Sequence, residues 1–205
     1  MALQVTPTKG SLINTKKSLE LSKLGFELLD KKRNILVKEM MTLIDHANKI
    51  QSKIDSTYQD AYDALRYANI TLGFCSDIAS TVPVENSLQL SYHSVMGVEI
   101  PILTIEATPP ALTYGLYSTN TLLDDAYSKF HEVKLLTTEL AEIENSIYRL
   151  ANAIKKTQKR ANALRNIMIP RFEETVKFIS DSLDEKEREE FIRLKVIKNN
   201  KEQNL

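Results

Sequence analysis

The chain has 205 residues, with 27 Lys+Arg against 27 Asp+Glu, five glycines and no tryptophan. Balanced charge calls for neither nucleic acid nor an anionic membrane as partner, and a single cysteine, Cys75, excludes an internal disulfide and fits a reducing compartment. Met1–Gly10 has no apolar core of signal-peptide length and no run of 18 apolar residues occurs, so a cytoplasmic protein without a transmembrane helix is expected.

Low glycine and abundant Leu, Lys and Glu predict a mainly α chain. Thr8, after Pro7, is a plausible N-cap. One heptad frame then runs Leu12, Leu19, Phe26, Leu29, Leu36, Met40, Leu43, Ala47, Ile50, Ile54, Ala61, Ala64 and Ala68. From Ala47 onward alanine dominates, which lets another helix approach closely. Gly73 supplies a stop. The spacing predicts an N-terminal coiled-coil helix over 8–73, about 90 Å long at 1.5 Å per residue.

Over 74–117 the heptads vanish and four of the six prolines collect. Leu88–Tyr92 and Val98–Ile100 alternate apolar and polar residues around Gly97, which predicts a short β-hairpin with Pro101 on an edge strand. Two strands alone are marginal in water, so the hairpin has to pack on a helix or a partner.

A C-terminal coiled-coil helix is predicted over 118–198, with a frayed tail at 199–205. Thr121 and Asp124 have capping-box spacing. The seam runs Ala126, Val133, Leu136, Leu140, Ile143, Ile147, Leu150, Ile154, Ala161, Leu164 and Met168. Leu164, Met168, Phe172 and Val176 then advance by fours beside Pro170, a stutter where the helix should bend. Phe172, Phe178 and Phe191 read as seam or flank packing.

Two long seams joined by a compact segment fold most simply as an antiparallel two-helix coiled coil. Residues 1–38 carry eight basic and three acidic side chains, a net of +5; residues 181–190 carry six acidic and two basic, a net of −4. An antiparallel hairpin sets these stretches side by side, whereas a parallel dimer would stack like charges.

Catalytic signatures are missing: there is no phosphate-binding GxxxxGK[ST], no HExxH, no CxxC and no GxGxxG. His46, His93 and His131 lie far apart, so no metal site or cofactor is expected and no residue is assigned a catalytic role. Lys155, Lys156, Lys159, Arg160 and Arg165 form a basic patch without interleaved aromatics, which reads first as a solvated face.

Several blocks carry a family likeness. Pro7-Thr8-Lys9, Leu12, Leu19, Gly25, Leu28-Leu29 and Lys31-Lys32-Arg33 resemble the start of the D subunit of the V-type and A-type ATPases. Asn162-Ala163-Leu164 followed by Ile169-Pro170-Arg171-Phe172-Glu173-Glu174-Thr175 is similar to that family's NALE…IPRLEET block. Glu187-Arg188-Glu189-Glu190-Phe191 with Arg193-Leu194-Lys195 matches its charged ending, and Val98–Ile102 stands where the family has short strands. The sequence departs from the pattern at Asn34, Lys159, Ala161 and Arg165, which bears on local pair contacts.

The resemblance implies a non-catalytic central-stalk rotor that couples ATP hydrolysis or synthesis to rotation of a membrane ion-translocating ring. Its terminal helices would enter a hexamer of catalytic A and non-catalytic B subunits. The small rotor F subunit would bind the side of the shaft, and a funnel-shaped membrane-side subunit would meet its foot. Arg33, Arg160, Arg165 and Arg171 are the candidate partner contacts, with carboxylates of the hexamer opposite; for each one alone the plainer reading is an ordinary interhelical or solvated charge. The alternative is a prefoldin-like coiled-coil chaperone subunit, which would expose apolar rather than charged helix tips. A purely structural coiled coil is the third reading.

Overall fold

A computed structural model of the chain describes residues 6–84, 86–105, 114–115, 117 and 119–203, with side chains to residue 200. Expectations for Pro109, Pro110 and Ser118 lie outside these residues. The order is α1 (Lys9–Leu72), a single turn α2 (Ser76–Ala79), β1 (Gln89–Val95), β2 (Val98–Thr104), α3 (Thr121–Ala163), a π-turn (Leu164–Met168) and α4 (Ile169–Gln203). The fold is mainly α: long N- and C-terminal helices pack together, with a two-stranded antiparallel hairpin between them in sequence. The chain divides into two compact units. The terminal unit comprises Met1–Asn34 with Lys155–Leu205, and the middle unit comprises Ile35–Ile154.

In the terminal unit α1 opens on a reciprocal cap. The Ser11 N–H donates to Thr8 Oγ1 at 3.1 Å and the Thr8 N–H donates to Ser11 Oγ at 3.1 Å. These bonds occupy donors that a helix start leaves open. Lys9 pairs with Glu187 at 2.9 Å and Lys23 with Glu173 at 2.7 Å, and Arg33 donates to Gln158 Oε1 at 2.8 Å. Rising numbers on one helix meet falling numbers on the other, so the packing is antiparallel, as the opposed charge blocks require.

The seam of this unit departs from the expected one at Met168. Thr157, Ala161, Thr175 and Ile179 are buried, but Met168 is exposed and Ile169 is drawn partly inward instead. The cause is the π-turn, which inserts one extra residue. In a regular α-helix Pro170 would press its ring on the carbonyl of Asn166 and leave that acceptor without a donor, at a cost of about 3 kcal/mol. A widened turn relieves this conflict, and it shifts every later seam position by one. Phe178 and Phe191 also depart from the packing reading, being 51% and 69% exposed. For Phe178 the shifted phase is responsible. For Phe191 the reason is length: α1 begins at Lys9, level with Glu187, and residues 188–200 are all exposed among the described residues.

The middle unit has a denser core. Ile50, Ile54, Leu136 and Ile143 form one buried cluster, flanked by Leu43, Ala47, Tyr58, Leu140 and Ile147. Ala61, Ala64 and Ala68 are buried to 6% exposure or less, the close approach that an alanine seam permits. A second cluster gathers Ala68, Cys75, Tyr114 and Leu123. Gly73, at φ +82°, ends α1 in the left-handed region where glycine carries no Cβ penalty.

The start of α3 corrects the capping-box reading of Thr121 and Asp124. The Leu123 N–H donates to Asn120 Oδ1 at 3.1 Å, so Asn120 is the cap. Asp124 instead accepts the Tyr114 hydroxyl at 2.7 Å.

Strands β1 and β2 pair antiparallel from Gln89↔Thr104 to Val95↔Val98. Met96 (φ 51°) and Gly97 (φ 74°) both take positive φ, the backbone of a two-residue primed turn. The hairpin packs on the flank of α3 rather than standing alone. The Leu103 N–H donates to Glu142 Oε2 at 2.7 Å, and Arg149 donates to the Glu99 carbonyl at 3.2 Å while lying 5.2 Å from the Tyr92 ring centroid. β2 therefore presents to α3 the edge on which Pro101, lacking an N–H, forfeits no ladder bond.

Candidate partner-contact surfaces

No helix among the described residues is long and apolar enough to cross a membrane, and none of their His, Cys, Asp and Glu residues gather in groups of three or more able to hold a metal ion. His46 lies 3.8 Å from Glu139 on the exposed flank of the middle unit. What the surface offers is charge in the terminal unit and apolar area in both units.

Residues 145–172, over the end of α3, the π-turn and the start of α4, contain no Asp or Glu. In the terminal unit this stretch presents Lys155, Lys156, Lys159, Arg160 and Arg165, all exposed. The four candidate arginines occupy different environments. Arg33 is engaged within the unit: it pairs with Asp30 at 2.7 Å and donates to Asn34 and Gln158. Arg165 lies 6.0 Å from the Phe26 ring centroid, which steadies its guanidinium while leaving it accessible. Arg171 is half-buried, and its Nε is buried with no hydrogen-bond partner. Arg160 is exposed beside Lys159. The structure thus leaves Arg160 and Arg165 exposed on the terminal unit with three lysines, and puts Arg33 to work between helices.

Beyond Glu187 the surface changes character. Phe191, Ile192, Leu194, Val196 and Ile197 are each at least half exposed on α4, interleaved with charge. Within the middle unit an apolar cavity of about 350 Å³ is lined by Leu65, Phe74, Cys75, Ile78, Tyr114 and Leu123 among others. Burial, and then the bond to Asp124, push the phenol of Tyr114 in its wall above the usual range. At the surface, the hydrogen bond and charge of Glu187 raise Lys9, and the bond to Asp125 raises Lys129. Sequence reasoning missed Glu142 and Arg149 as the residues that seat the hairpin. Both flank the seam, and nothing in a heptad tells which flank meets a strand.

Comparison with known proteins bears on the whole surface at once. The model of the ATP synthase D subunit family matches residues 11–199. The chain is 44% identical over 198 residues to the V-type ATP synthase D subunit of Thermotoga neapolitana, covering 96% of this chain and 98% of that one. It is 38% identical over 201 residues to the A-type ATP synthase D subunit of Thermococcus sibiricus, covering 96% and 94%. The Pyrococcus furiosus A-type protein is 37% identical over the same length and coverage. The match spans α1, the hairpin, the π-turn and α4, so the chain belongs to the family of ATP synthase D subunits.

Proposed function

We propose that this chain is the central rotor shaft of a V-type or A-type ATPase and performs no chemistry itself. It couples ATP turnover in a hexamer of catalytic A and non-catalytic B subunits to rotation of the membrane ion-translocating ring. The observation that carries this reading is the antiparallel pairing of long helices over the stretch that matches the D-subunit family. A shaft has to carry torque, and two helices locked along a seam resist bending and twisting better than one.

In this reading the terminal unit enters the hexamer. Its Lys155, Lys156, Lys159, Arg160 and Arg165 meet carboxylates on the surrounding subunits, which steer insertion and resist slippage. Arg171 joins them as the ring closes on its flank. Arg33 holds α1 against Gln158 rather than reaching outward. The small F subunit binds the side of the shaft, and the funnel-shaped membrane-side subunit receives its foot. The protein is cytoplasmic and sits at the membrane only as part of the complex.

A tag inserted between Val84 and Leu88, where Val84 is 84% exposed, leaves both helix tips free. Capture from the source organism's lysate should recover catalytic and non-catalytic ATPase subunits with a small F-like subunit. Recovery of prefoldin partners or unfolded clients instead would support a chaperone and defeat the rotor.

A further inference from the structure

We propose that the terminal unit is two-sided, and that Leu21, Leu24 and Leu28 on the outer face of α1 are an apolar docking stripe for the surrounding hexamer. Each of the three stands two residues from Leu19 or Phe26, about 200° round the helix from the seam. Those two seam residues are partly buried, whereas the three leucines are 68%, 52% and 58% exposed. Steps of three and four align them on one face, the pattern by which a helix meets a second apolar surface. A lone exposed leucine is ordinary; an aligned run of them marks a contact.

Two contacts bracket this stretch of the unit, Lys23–Glu173 and Arg33–Gln158. Between them α1 turns Leu24 and Leu28 outward, with Leu21 one turn beyond. The facing stretch, 158–173, exposes Lys159, Arg160 and Arg165 and has no carboxylate before Glu173. Lys159 stands two residues from each of the buried Thr157 and Ala161, so it points away from its seam as the leucines point away from theirs. At one height the helix pair is apolar on the α1 side and cationic on the other.

Three leucines over about two turns are too short a seam to hold a second copy of the chain. A ring that grips the cationic side at this height also meets α1, which makes the hexamer the occupant. This assignment rests on the rotor reading and adds the chemistry: the ring subunit facing α1 offers apolar side chains, and the one facing Lys159 offers carboxylates. Turning the shaft exchanges the two, so each catalytic pair meets a different kind of contact in succession.

Salt separates the two sides, because it screens ion pairs and leaves apolar contacts in place. With the catalytic hexamer fixed to a surface, release of the full chain is timed at several KCl concentrations. Gln at all three positions (Leu21→Gln, Leu24→Gln, Leu28→Gln) keeps helix propensity and should speed release at least about tenfold at every concentration. Met at the same positions should recover slow release. Lys155→Gln, Lys156→Gln and Lys159→Gln together should instead flatten the dependence on salt. Release of the Gln chain at the wild-type rate, or of the Met chain as fast as the Gln chain, would overturn the proposal. So would a free wild-type chain that sediments as a dimer which the three glutamines dissolve. A wild-type chain that the hexamer never retains would defeat the rotor reading, and this assignment with it.

Discussion

The middle unit buries Ile50, Ile54, Ile143 and Leu150 along its seam, whereas the terminal unit buries Thr157, Ala161, Thr175 and Ile179. The first adds a hairpin held by Glu142 and Arg149; the second adds ion pairs between exposed side chains, Lys9–Glu187 and Lys23–Glu173. Exposed pairs contribute on the order of 0–1 kcal/mol each, far less than a buried aliphatic side chain. One unit is therefore held by burial of its own residues. The other buries smaller side chains along its seam and is held more lightly, while both leave large apolar residues in solvent, Phe74 and Tyr148 in the first and Phe178 and Phe191 in the second.

The comparison breaks most readily at Leu150, which is fully buried in the middle unit. Leu150→Ala should cost about 2–5 kcal/mol in chemical denaturation, through lost burial and the cavity left behind. A cost below about 1 kcal/mol would mean that the middle seam is not the stabilising region. Tyr114→Phe comes next, since it removes a buried hydroxyl's bond to a carboxylate, and should cost about 1.5–3 kcal/mol.

The same tyrosine makes a pH prediction. Its phenol is raised in the folded chain above the usual 10.0, so below pH 10 both folded and unfolded states hold the proton and stability is unaffected. Above that, the unfolded chain releases the proton first and folding weakens. The alkaline loss of stability should be smaller in Tyr114→Phe, as thermal melts between about pH 9 and 11 would show.

Arg149→Ala should loosen the hairpin without melting the helices. It removes a cation–π contact and one hydrogen bond, together about 1–2 kcal/mol, read as faster amide exchange confined to β1 and β2. Glu187→Gln should have the smallest effect, a barely measurable drop in melting temperature that vanishes at high salt, because both partners are well exposed. A larger loss there would erase the contrast between the units.

Where the sequence was legible, one local rule decided the outcome. Leu36, Ile50, Ile54, Ala61 and Ala68 fall inside because a heptad offers one face to one neighbour, and Thr8, Gly73 and Gly97 mark ends that few residue types can make. Reading failed where two local rules competed. Thr121 and Asp124 have the right spacing for a cap, yet Asn120 takes the role and Asp124 serves Tyr114, a tertiary contact that spacing does not contain. Pro170 announced a disturbance, but whether it would be a bend, a stutter or a π-turn depended on which seam could bury more behind it. The candidate arginines were the least legible. Arg33 and Arg160 look alike in sequence, and only packing shows that the first bridges to Gln158 while the second faces outward.

The rotor claim is tested most directly by watching the chain move. A bead attached through a tag between Val84 and Leu88, on a complex whose catalytic hexamer is fixed to a surface, should turn in one direction when ATP is supplied and stop when it is removed. A bead that stays still while the hexamer hydrolyses ATP would contradict the account.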